Sequence, residues 1–137
     1  MQIELAAGRA MLTHNLATGP VALDPRYAIP DRAPTFGDRS LPRAVHRTAA
    51  LAKALAASIR TAEAVQACTA PCPLVGVGAH LTMSTPVISG RTATITVTLL
   101  QSSADGRQRV YYETVQMMLS RSSRGWVVTK EVQLGIS

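Results

Sequence analysis

With 137 residues the chain has the length of one domain, long enough to bury a core without staples. Apolar residues make up 47% of it and charged ones 16%, yet no apolar run approaches the ~18–20 residues that would span a bilayer. The net charge of +6 attracts anions in general. Its arginines are scattered, however, and its five aromatic residues form no base-stacking motif, which argues against nucleic acid as the partner.

Residues 2–14 place Ile3, Leu5, Ala6, Ala10 and Leu12 near helical spacing, so the chain opens on a short helix weakened by Gly8. Val21–Leu23 suits a brief strand. Pro25, Pro30 and Pro34 then forbid regular helix, and Asp24, Asp31 and Asp38 read as turn or cap residues of an irregular segment reaching residue 41. The main helix is expected over 42–67, capped by Asp38 or Ser40 with Pro42 in its first turn. Leu51, Leu55, Ile59 and Ala62 form its apolar stripe.

Cys68 and Cys72 follow, three residues apart in CTAPC. No second Cys or His pair completes a tetrahedral zinc set, and the spacing is not that of a C-x-x-C redox site. A local disulfide or two free thiols remain; the disulfide is the expectation. Because disulfides persist in oxidising compartments, it places the chain outside the cytoplasm, with an export signal absent from this sequence.

From Leu74 onward the pattern alternates with period two, predicting four antiparallel strands near 76–85, 91–101, 107–120 and 126–135. Ala93, Ile95, Val97 and Leu99 should lie under the main helix, and Thr92, Thr94, Thr96 and Thr98 on the other face. The Asp-Gly pair at 105–106 suits a hairpin turn, and Trp126 a core plug at the end of the sheet. The expected fold is α+β, one domain in which a long helix and a short N-terminal helix pack on a bent four-stranded antiparallel meander.

A helix over 43–67 followed by RTATITVTLL and RVYYETVQMMLSRSSRGWVVTKEVQL resembles the nuclear-transport-factor-two-like superfamily, whose members have a cystatin-like cone fold. The resemblance covers roughly residues 42–135 and implies a concave face that is either an active site or part of a catalytically silent binding or dimerisation module. The arrangement is also similar, more loosely, to small exported proteins of GC-rich bacteria.

No nucleophile elbow, phosphate loop, dinucleotide fingerprint or HExxH motif is present. Glu113 shares a strand face with Tyr111, Val115, Met117 and Leu119, so it points toward the presumed cone, where desolvation would favour general acid–base chemistry with Tyr111 beside it. The structural alternative, Glu113 paired with an arginine or wetted at the rim, weighs more. His80 falls with Thr82 and Ser84 on the polar face and reads as solvent-exposed; His46 reads as a surface residue and His14 as the end of a helix. No pair of histidines supports a metal, and no cofactor is implied. The sequence thus points to a non-catalytic module, binding a small ligand in an apolar pocket or another protein. A homodimer through the threonine face is the favoured assembly. The competing expectation is a cofactor-free lyase, isomerase or hydrolase using Glu113.

Overall fold

The computed structural model describes residues 2–17, 19–28, 42–66, 74–102 and 110–136. Among these the elements are, in chain order, α1 (Gln2–His14), β1 (Val21–Ala28), α2 (Val45–Ala54), β2 (Ala57–Ile59), α3 (Ala62–Val65), β3 (Ala79–Ser84), β4 (Val87–Ser89), β5 (Thr92–Ser102), β6 (Val110–Ser122) and β7 (Gly125–Ile136). The strands make one sheet in the order β2-β1-β3-β5-β6-β7, with the short β4 also paired to β5. Pairing is antiparallel from β3 to β7, while β1 runs parallel to both β2 and β3. No helix among the described residues is long and apolar enough to cross a membrane.

This corrects the expected architecture, a long helix on a four-stranded meander. The helix of 42–67 does not exist as one piece. It starts at Val45 on an Ala44 cap without a side-chain bond, and Pro42 instead bridges to Arg26. It stops at Leu55, and Ala56 takes the left-handed conformation (φ 53°) that glycine usually supplies at a helix end. An alanine gives no local signal for such a stop. Pairing supplies the reason: residues 57–59 add a parallel strand against Val21–Leu23, and the Arg60 N–H donates to the Leu23 carbonyl at 3.1 Å. Ile59, expected on the helix stripe, is consequently exposed.

The brief strand at Val21–Leu23 is also longer than expected, because it runs on through Pro25. The register slips between Leu23 and Tyr27, and a bulge tolerates a residue with no N–H to donate. Four predicted strands lie within the larger sheet as β3, β5, β6 and β7. The Asp-Gly turn, Asp31, Asp38, Ser40, Cys68 and Cys72 lie outside the described residues.

Residues opposite one another on paired strands share a face. Leu23, Leu81, Leu99 and Glu113 therefore line one side, with Val97 and Val115, Ile95 and Met117, and Ala93 and Leu119 continuing along it. This inner face meets Ile3, Ala7 and Met11 of α1 and Leu51, Ala52 and Leu55 of α2 in the main core. Ala93, Ile95, Val97 and Leu99 are buried there as expected, but α1 is the helix lying across β5 and β7, while α2 covers β1 and β2. Gly8 has its use in this packing: a Cβ there would stand 2.9 Å from the Met83 Cε and 3.2 Å from Leu55, so glycine lets α1 sit close. Trp126 is half-buried and packs on the same core from the end of β7.

The outer face carries a second, smaller core of Ala22, Val65, Leu74 and Val77, with Leu100 and Val110 packed against it. Sheet side chains near β1 and β3 are thus covered on both faces, and every residue of β3 is buried.

Candidate functional site

Two polar clusters flank the sheet. The first, at one end of the inner face, holds the predicted pair. Glu113 is only 4% exposed and stands opposite Leu99. Its Oε2 accepts from the Tyr111 hydroxyl at 3.1 Å and its Oε1 from the Gln133 Nε2 at 3.4 Å. Tyr111 reaches it because the two alternate onto the same face. Burial, and then the hydrogen bond to Glu113, push the Tyr111 hydroxyl above its ordinary value, so it stays a donor. Among the described residues no cation pairs with Glu113; both partners are neutral donors.

The second cluster lies on the outer face and was not anticipated. Asp24, read as a turn residue, is buried within β1. Its Oδ1 accepts from the Arg26 N–H (3.0 Å) and Nε (2.9 Å), and its Oδ2 from the Arg26 Nη2 (2.9 Å) and the Ala62 N–H (2.9 Å). The Arg26 Nη2 also donates to the Glu63 Oε2 at 2.7 Å. Burial raises the Asp24 carboxyl, but the Arg26 and Ala62 hydrogen bonds outweigh it and hold it below the ordinary aspartate value. Glu63 is likewise lowered, burial opposing and its own backbone N–H, then the Arg26 bond and charge, prevailing.

His80 completes this cluster, and its exposure is the clearest correction to the sequence reading: it is 0% exposed. Period two assigned the correct face, but residues 60–66 and 74–77 cover that face here. The Nε2 lies 2.9 Å from the Arg60 carbonyl, which can only accept, so Nε2 carries the proton. The Asp24 Oδ2 is 3.6 Å from the same nitrogen. The Nδ1 is buried without a hydrogen-bond partner. Burial, above all, pushes the imidazole below its ordinary value, against the opposing pull of the Arg60 carbonyl and Asp24, and it is neutral near pH 7.

A third polar contact ties the layers together. Arg43, just before α2, is buried and donates through Nε to the Glu4 Oε2 at 3.0 Å and through Nη1 to the Asp24 carbonyl at 2.7 Å. Its guanidinium carbon stands 4.7 Å from the centre of the Tyr27 ring. Nothing in the local sequence marks Glu4 and Arg43 as partners, since 39 residues separate them.

His14 and His46 are exposed, His14 reaching the Glu131 Oε2 at 4.0 Å. Among the described residues no group of His, Cys, Asp and Glu could hold a metal ion. The threonine row is split: Thr92 is exposed and Thr94 half-buried, whereas Thr96 and Thr98 are buried, Thr98 bonding Thr114 at 2.9 Å. The outer face also exposes apolar side chains, with Val87 at 60%, Met118 at 37% and Val127 at 50%. Val87 and Met118 flank Thr94 in one cross-strand row, and Val127 stands in the adjoining row with Ser120 and Thr92.

No family model matches the chain, and neither the curated proteins nor the solved structures contain a match to it.

Proposed function

We propose that the chain is a non-catalytic interaction module, acting outside the cytoplasm, that pairs with a second copy through the outer face of β4–β7. The observation carrying this reading is the patch of exposed Val87, Met118 and Val127, from two adjoining cross-strand rows, on a sheet face whose only charged side chain among the described residues is Lys130. A chain of net charge +6 repels its own copy over most of its surface, and a face with little charge is where that repulsion is weakest. The alternative of a small-ligand pocket gains less support, because α1 fills the inner face with Ile3, Ala7 and Met11. A relation to the cone-fold superfamily belongs to the same proposal, supported by the β3-β5-β6-β7 antiparallel order with a helix across its inner face. Sedimentation analysis tests the pairing. The wild type should sediment as a dimer at micromolar concentration and a Val87→Lys/Met118→Lys variant as a folded monomer; a monomeric wild type refutes it.

One observation favours a second reading, a cofactor-free acid–base enzyme: Glu113 is a buried carboxylate facing neutral donors. Glu113→Gln would lower turnover of such an enzyme by ~10²–10⁴-fold while preserving the fold. Under the leading reading the same variant changes stability alone.

A further inference from the structure

We propose that His80 makes the β2–α3 segment an acid-opened latch, closed while the imidazole is neutral and released, uncovering the outer-face core, when it gains a second proton. The latch is a short piece of chain. β2 is a three-residue edge strand and α3 a single turn. Beyond β2 pairing, residues 60–65 are held by the Arg60 N–H on the Leu23 carbonyl, His80 on the Arg60 carbonyl, the Ala62 N–H on Asp24, Arg26 on Glu63, the Arg60 Nη1 on the Val75 carbonyl, the Val75 N–H on the Val65 carbonyl, and buried Val65. Three of these anchors converge on the Asp24–His80 cluster.

The chemistry of the cluster accepts one protonation state of the imidazole. Neutral His80 donates from Nε2 and leaves a bare Nδ1. A second proton would sit on Nδ1, at zero solvent exposure and with no acceptor, and leaving a charged donor unsatisfied is costly. The charged groups facing the ring among the described residues are Asp24 and Arg26 from β1 and Arg60 and Glu63 from the latch itself. From β5 the neighbours are Leu100, opposite His80, and Thr98, neither of which titrates. Asp24 is close enough to favour the cation, but both its oxygens are already occupied by Arg26 and Ala62. Opening the latch returns the ring to water, where both protons can be held.

The sign follows from linkage. The folded imidazole is held below its ordinary value, so its contribution is complete above about pH 6.5 and declines as pH falls through the folded value. Within that interval one proton is taken up on opening, and the open fraction rises by close to tenfold per pH unit. Asp24 and Glu63, both held below their ordinary values, remain charged at pH 5, so the Arg26 bridges persist down to that pH. What is uncovered is apolar: Ala22, Leu74 and Val77 lose Val65 as their cover.

Hydrogen exchange of the whole chain at pH 7 and pH 5, corrected for intrinsic exchange rates, reads this directly. Amides of residues 57–66 should lose protection between the two, while β5 and β6 keep theirs. His80→Gln, whose side-chain amide can still donate to the Arg60 carbonyl, should flatten the difference. Proton NMR of the His80 ring covers the case in which that variant does not fold: it should titrate below the ordinary imidazole value of about 6.5. The proposal is overturned if His80 titrates at or above the ordinary imidazole value, if 57–66 is protected equally at both pH values, or if a folded His80→Gln keeps the pH response.

Discussion

Replacing Glu4 by Leu tests how the buried Glu4–Arg43 pair binds α1 to the rest of the molecule. Both side chains are almost wholly out of solvent, with the Arg43 Nε 3.0 Å from the Glu4 Oε2. Removing the carboxylate leaves a guanidinium whose remaining contacts are the Asp24 carbonyl and the Tyr27 ring, with Nη2 already unpartnered. Breaking a buried pair from one side costs about 3–5 kcal/mol, because an uncompensated charge stays behind. Taking the lower figure, since Tyr27 and the carbonyl still face the cation, gives a loss of about 3 kcal/mol and roughly 10 °C in Tm for a chain of this length. Arg43→Met should cost a similar amount by stranding Glu4. The double variant Glu4→Leu/Arg43→Met removes both charges from an apolar layer and should recover most of the loss, since replacing a whole buried pair by apolar residues is close to neutral. Urea unfolding followed by the fluorescence of Trp126, the single tryptophan and half-buried against the core, measures all three. Strict additivity of the two losses, or a single-variant loss below about 1 kcal/mol, would refute the argument.

Two further outcomes are expected. Asp24→Asn should destabilise by about 1.5–3 kcal/mol, because an amide nitrogen cannot accept from Arg26 or the Ala62 N–H. The wild-type advantage over this variant should be full near neutral pH and shrink below about pH 4, since the folded Asp24 carboxyl is held below its ordinary value and its contribution disappears as it protonates. Thiol alkylation of the unreduced protein followed by mass measurement should leave Cys68 and Cys72 unmodified; two added alkyl groups would remove the disulfide and with it the case for an oxidising compartment.

Local pattern by itself determined α1, the four long strands and which side chains share each face. The alternation that puts Ala93, Ile95, Val97 and Leu99 together, and Tyr111 with Glu113, is a property of strand geometry and needs no partner to be read. Burial was decided elsewhere. Thr98 and His80 sit on the polar face that period two assigns them, yet both are buried, and over His80 the cover comes from residues 60–66 and 74–77, which lie on that side of the sheet. The end of α2 was equally invisible: Leu55–Ala62 holds no Gly or Pro and includes Leu55, Ala56, Ala57, Arg60 and Ala62, and the parallel pairing of Ala57–Ile59 with Val21–Leu23 overrides that helical preference. Asp24 looked like a turn residue beside Pro25, and a bulge turned it into the centre of a buried hydrogen-bond cluster. Side-chain alternation depends on neighbours one or two residues away, and it survives in the sequence. Arg43 on Glu4, the Ala62 N–H on Asp24 and the Arg60 carbonyl on His80 come from 39, 38 and 20 residues away, so only the tertiary structure brings them together.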